Sequence, residues 1–195
     1  MLSTFVVAVC LFQNRGIVPS GDIALLEPIV LSSVFTGEGT KLDPYAAAQR
    51  VHRRIAGESR RWEGWHIRFK PERDTFRLQQ QIFGTRGSYD SLADMQKLHF
   101  LSAKIDARYV AYYRLEAFKG DRTTGVSART TGLATVDLYV YDSVAQKLIW
   151  QEKKTETSIR GGTKNEMQPR MDQAYLNALR KTLEPFATKG YIKNF

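Results

Sequence analysis

The chain has 195 residues, 43% of them hydrophobic and 25% charged, enough apolar side chain for a packed core and too mixed a composition for a disordered chain. Its 29 Lys and Arg outnumber 20 Asp and Glu, leaving a formal charge of +9 that favours anionic partners: nucleic acid, lipid head groups or an acidic protein. A single cysteine excludes an internal disulfide framework and a multi-thiolate metal site, and no apolar run reaches the roughly 18 residues of a transmembrane helix.

Leu2 to Phe12 is an eleven-residue apolar run, the length of a secretory h-region. Residues 1–20 are therefore read as a candidate export signal or lipoprotein leader, with a buried first strand or helix as the alternative. Val7-Ala8-Val9-Cys10 is loosely similar to a bacterial lipobox and makes Cys10 a candidate lipid anchor, although Val9 stands where the box has a small residue. Residues 21–195 are read as one domain.

Ile23 to Phe35 is dense in aliphatic and β-branched residues and predicts a buried strand, with an edge position or bend at Pro28. Asp43-Pro44 reads as the cap and first residue of a helix whose apolar face is Tyr45, Ala48, Val51 and Ile55, ending near Gly57. Trp65, Ile67 and Phe69 alternate with polar residues, so 64–70 reads as a half-buried strand. The stretch from Pro71 to Ser88 is ambiguous, with a short helix as one reading. Ser88 or Asp90 can cap a helix running to about Lys104.

Ala107 to Phe118 predicts a strand, Lys119 to Thr131 a long polar loop or hairpin tip, and Gly132–Tyr141 with Lys147–Thr157 a pair of strands. Ile159 to Gln168 reads as a loop, and about Arg170 to Ala187 as the closing helix. The order β-α-β-α-β-β-β-α predicts an α/β protein of the α+β type. It would form a two-layer sandwich, a mixed sheet of about five strands with helices mainly on one face.

The search for chemistry finds little. Gly37-Glu38-Gly39-Thr40-Lys41 lies between a strand and a helix but lacks the Gly-Lys-Ser/Thr ending of a phosphate loop and the dinucleotide fingerprint. His52, His66 and His99 show no metal-ligand spacing, and His52 has cationic neighbours in Arg53 and Arg54. No Gly-x-Ser-x-Gly elbow occurs. Asp137 alternates with Val136 and Leu138 and reads as solvent-facing. No catalytic residue, metal site or cofactor is assigned, so the chain is not read as an enzyme.

Asp106-Ala107-Arg108-Tyr109-Val110 opens a strand, Ala134 to Asp142 forms a second ending in Asp, and Lys147-Leu148-Ile149-Trp150-Gln151 closes the pattern after a turn. This arrangement resembles bacterial envelope modules: the amino-terminal domain of TolB, the curli secretion-channel lipoprotein family and the lipoprotein activators of peptidoglycan synthases. The opening strand and Asp43-capped helix match their first unit, and the Met171–Phe186 helix their last. One departure is Gln146, where those proteins usually place Gly. The resemblance implies an exported, non-catalytic module that binds a protein partner or assembles with copies of itself.

Recognition would fall on the loops 119–131 and 159–168 and the basic stretch 50–77, since loops on a rigid sheet carry function. The candidate partner or anion-binding residues are Arg53, Arg54, Arg60, Arg61, Arg122, Arg129, Arg160 and Lys164, suited to an acidic partner or anionic polymer. Nine basic residues from Arg50 to Arg77, interleaved with Trp62, Trp65, Phe69 and Phe76, also suit nucleic acid. An enzyme of unrecognised type is the third reading.

Overall fold

Pro28 divides the first apolar stretch, because a ring in place of an N–H cannot continue a hydrogen-bonded ladder. The result is strand β1 (Gly21–Leu25) and the two-residue β2 (Ile29–Val30), both parallel to the same neighbour. Helix α1 (Pro44–Glu58) starts where Asp43 accepts the Tyr45 N–H at 2.9 Å, and it buries Ala47, Ala48, Val51, His52 and Ile55. A 3-10 turn at Ser59–Arg61 leads into the short strand β3 (Ile67–Phe69). Helix α2 (Glu72–Phe83) resolves the ambiguous stretch, and α3 (Met95–Ile105) follows. Three long strands come next, β4 (Tyr109–Arg122), β5 (Arg129–Asp142) and β6 (Lys147–Gly161), and α4 (Met167–Lys189) closes the fold. The computed structural model describes residues 19–31, 43–84, 94–123, 129–161 and 167–189.

These six strands form one mixed sheet in the order β3-β1-β4-β5-β6, with β2 beside β4 further along. Pairs involving β1, β2 and β3 are parallel, whereas β4-β5-β6 is an antiparallel meander. The α+β two-layer reading holds. Helices α1 and α4 cover one face, where Tyr109, Ala111, Tyr113 and Leu115 of β4 and Ala134, Val136, Leu138 and Val140 of β5 meet Ala174, Tyr175, Leu179, Leu183 and Phe186. Behind the sheet, Leu98 and Leu101 of α3 and Phe83 of α2 cover a smaller cluster with Val110, Tyr112 and Tyr141.

Several boundaries differ from the sequence expectation. The polar stretch after Phe118 is mostly strand, since Lys119 pairs with Leu133 and Arg122 with Thr130. Likewise β6 continues through Ile159 to Gly161, paired with Thr131 and Arg129. Backbone pairing costs a polar residue nothing on a strand whose outer face meets water, so hydropathy understates both lengths. Helix α3 is capped by Asp94, which accepts from Gln96 and Lys97, not by Ser88 or Asp90, which lie outside the described residues.

Helix α4 approaches β5 most closely at Gly132, where an added Cβ would overlap the Arg170 carbonyl group and the Met171 nitrogen. Backbone cannot retreat as a flexible side chain can, so Gly132→Ala is expected to cost about 3 kcal/mol. Gly57, with open space around its Cα, is the control: Gly57→Ala should leave stability unchanged or raise it by up to about 1 kcal/mol. Urea unfolding of the two variants checks both outcomes.

Candidate functional site

The basic and aromatic residues between α1 and β3 fold into one exposed corner. Ser59 accepts the Trp62 N–H at 3.1 Å and Gly64 takes φ +75, reversing the chain so that Trp62 and Trp65 stand edge to face with centroids 4.6 Å apart. The Arg180 guanidinium of α4 lies 5.0 Å from the Trp62 ring, a cation–π contact that ties the corner to the closing helix. Trp65 divides two clefts. The larger, about 570 Å³, is lined by Ala56, Ser59, Arg60, Trp65, Arg68 and Phe69 among others, and the smaller, about 460 Å³, by Arg61, Trp62, Glu63, Arg180 and Glu184 among others. Asp22 on β1 holds Arg68 at 2.8 Å and Lys70 at 2.9 Å, and the Lys70 ammonium keeps its carboxyl below the usual range.

A second polar group lies deep in the core. His52 Nε2 and the Tyr113 hydroxyl are 2.8 Å apart, and the Tyr113 hydroxyl is hydrogen-bonded to that of Tyr175. Burial pushes both tyrosines well above their ordinary ionisation range and holds the His52 imidazole neutral, with its pKa lowered to about 3. His52 Nδ1 has no hydrogen-bond partner among the described residues. An enclosed imidazole whose charged form burial disfavours, hydrogen-bonded to a buried phenol, supplies a polar linkage within the packed core.

Asp137 corrects its expected exposure. It is 6% exposed on the back of β5, where it accepts from the Tyr139 hydroxyl at 2.6 Å and from Gln151 at 3.3 Å. Tyr139 stacks on Tyr112 with centroids 5.0 Å apart, and its hydroxyl is pushed up to about 12 by burial first and by Asp137 second. Period-two alternation does place Asp137 on the side opposite the main core. It gives no sign that an aromatic pair covers that side.

Among the candidate recognition residues, Arg60 and Arg61 line the two clefts of the corner, both exposed. Arg53 and Arg54, on the outer face of α1, are engaged elsewhere: Arg53 with Glu72 at 3.1 Å, Arg54 with Glu58 at 3.3 Å and Gln173 at 3.1 Å. Arg129 opens β5 at the far tip of the hairpin, roughly 40 Å along the strands from the Tyr109 end that adjoins β1, at about 3.3 Å per residue. Cys10, Lys164 and the side chains of Arg122 and Arg160 lie outside the described residues. The structure therefore brings Arg60 and Arg61 together and leaves Arg129 apart from them. Arg180 is the residue that sequence reasoning missed, because nothing in the helical spacing of 170–187 indicates which aromatic ring it meets.

Among the described residues, no group of three His, Cys, Asp or Glu side chains could hold a metal ion, and no helix is long and apolar enough to cross a membrane. No protein-family model matches the sequence, and no curated protein matches it. The fold nevertheless belongs to a recognisable class of α/β sandwiches, shared with solved structures of low sequence identity.

In particular, the chain is similar to the hypothetical protein CT253 from Chlamydia trachomatis (14% identity, TM-score 0.51, covering 91% of this chain and 100% of that one). It is also similar to PelC from Paraburkholderia phytofirmans, solved as a dodecamer (15% identity, TM-score 0.50, 89% of this chain and 94% of that one). Lipoprotein GNA1162 from Neisseria meningitidis matches over 84% of this chain and 99% of that one, at 13% identity and a TM-score of 0.48. At such identities the likeness is one of fold.

The buried imidazole gives the protein an acid-side weakness. Because the folded-state pKa of His52 is about 3 against an ordinary 6.5, the unfolded chain takes up a proton first as pH falls. The stabilising contribution is complete above pH 6.5 and is lost progressively toward pH 3, at up to about 1.4 kcal/mol per pH unit. Urea unfolding between those limits should show this slope, and His52→Gln, which can still bond Tyr113, should flatten it.

Proposed function

We propose that the chain is a non-catalytic module of the cell envelope that contacts a protein partner or assembles with copies of itself. The observation that carries the reading is where the polar chemistry sits. His52, Tyr113 and Tyr175 are closed in on one another in the core, whereas at the corner Arg60 and Arg61 are exposed beside the half-buried Trp62 and Trp65, framed by two helices and a strand. Half-buried aromatic rings beside exposed arginine side chains on a rigid frame are the composition of a recognition surface. The likeness in fold to PelC, which forms a dodecamer, supports the assembly reading, and an acidic partner or anionic polymer suits the +9 charge. Export of the chain, with Cys10 lipid-modified, belongs to the same proposal.

One contact favours a second reading. Arg180 against Trp62, with Trp65 beside it, is also a platform for stacking bases and pairing phosphates, as in proteins that bind single-stranded nucleic acid. Steep loss of oligonucleotide affinity with added salt would mark that reading.

Fractionation of the native host with intact-mass analysis is the test. The expected result is a chain beginning at Cys10, bearing the mass of an acyl modification, in the envelope fraction. A full-length chain in the cytosol would overturn the envelope reading and favour nucleic acid.

A further inference from the structure

Strand β3 ends the sheet, and its outward side has no neighbour among the described residues. The carbonyl of His66 accepts from the Gly21 N–H at 3.3 Å, and the Lys70 N–H donates to the Ile23 carbonyl at 2.9 Å. Backbone direction alternates along an extended strand, so His66, Arg68 and Lys70 address β1, and Ile67 and Phe69 turn their N–H and C=O groups outward. No described backbone group bonds to them.

Edges of this kind are usually guarded by charge, and the contrast with the opposite edge is plain. There β6 carries Glu152, Lys153, Lys154 and Glu156 within five residues. At β3 the charges are fewer: Arg68 and, just past the strand, Lys70 both contact Asp22 on β1, and Lys70 is largely covered there. Directly beside the outward groups lies the 570 Å³ cleft, with Trp65 and Phe69 on its apolar side and Arg60 on its wall. Arg60 makes no ion pair with any described residue, and Arg68 stays 81% exposed despite its contact with Asp22. Asp22, the carboxylate that lines the cleft, is already shared between two cations.

We infer that β3 accepts an extended segment of a partner protein as an added parallel or antiparallel strand. Alternate apolar side chains of that segment enter the cleft against Trp65 and Phe69, and the intervening acidic ones meet Arg68 and Arg60. Main-chain hydrogen bonds from Ile67 and Phe69 supply register and affinity, and the cleft with its arginines supplies selection for an apolar–acidic alternation. The inference rests on the protein-binding reading above and names the mode and the partner chemistry.

The test uses the full chain and a synthetic peptide of about eight residues alternating Asp with Val, a strand's length. Three results are expected. Hydrogen exchange at the Ile67 and Phe69 amides slows on adding the peptide. N-methylation of the peptide's bonding amides weakens binding at least about tenfold, because it removes donors without altering charge. Arg60→Glu, an exposed change that far-ultraviolet circular dichroism can show to be folded, weakens binding by about the same factor. Equal binding of the N-methylated peptide, no protection at Ile67 and Phe69, or full displacement by an oligothymidylate would overturn the inference. The last outcome would identify a general polyanion surface. A cytosolic chain that still takes the peptide would overturn the envelope reading and leave strand addition standing, and an envelope chain that ignores the peptide would do the reverse.

Discussion

Helix α4 lies across β4, β5 and β6 on a stripe of Ala134, Val136, Leu138 and Val140, and the rest of the molecule is arranged around that contact. Small residues set its depth: Gly132 lets the backbone at Arg170 rest on the sheet, and Ala174 and Ala178 keep the next turns close. Leu179, Leu183 and Phe186 then fill the space beneath, with Phe186 edge-on to Tyr109 and the Trp150 indole donating to the Thr182 carbonyl at 3.2 Å. Once α4 is seated, α1 has one place to go, beside it over β1 and β4. Arg50 on α1 fixes that place by gripping Asp172 at 2.7 and 3.1 Å. The recognition corner inherits its shape from this packing, since Trp62 is clamped from α4 by Arg180.

Polar groups inside such a sandwich must be satisfied locally, and the chain does so in two ways. At the break between β1 and β2, the Glu27 N–H donates to the Gln79 side chain at 2.7 Å and the Glu27 carbonyl accepts from it at 3.3 Å, so an α2 side chain stands in for a missing strand neighbour. Between α1, β4 and α4, the Tyr113 hydroxyl bonds both His52 and Tyr175. These contacts fix the relative positions of four elements that apolar packing alone would hold with less specificity.

Much of this was legible in the sequence, and the reasons can be traced residue by residue. Asp43-Pro44 announced α1, and Pro28 announced the break, since both act through local backbone chemistry that no tertiary contact overrides. Asp142 at the hairpin turn, which accepts from the Val144 and Ala145 N–H groups, is equally local. Gln146 shows what a resemblance adds: the position where the proteins it resembles usually place Gly has φ 52, the left-handed conformation that glycine adopts without strain.

Legibility failed where burial depends on a distant partner. Asp137 alternates like an outward residue and is outward of the main core, yet Tyr139 and Gln151 enclose it. The lengths of β4, β5 and β6 were understated for the same reason, because pairing satisfies backbone whatever the side chains say. The candidate arginines spread over three regions of sequence, and among the described ones Arg60 and Arg61 line the clefts that also hold Trp62, Trp65 and Phe69.

The two ends of the sheet differ in a way that bears on valency. A strand-adding molecule with two open edges can be a link in a chain of indefinite length. One with a single open edge is a terminus. Here the long β6 edge carries charges of both signs, and the three-residue β3 edge has no strand neighbour among the described residues, so growth through strand pairing at β3 stops after one event. Two copies meeting through β3 would close into a pair with no site left over. Any larger assembly must then be built through other surfaces, with the sheet's β3 end free to receive one strand in every copy.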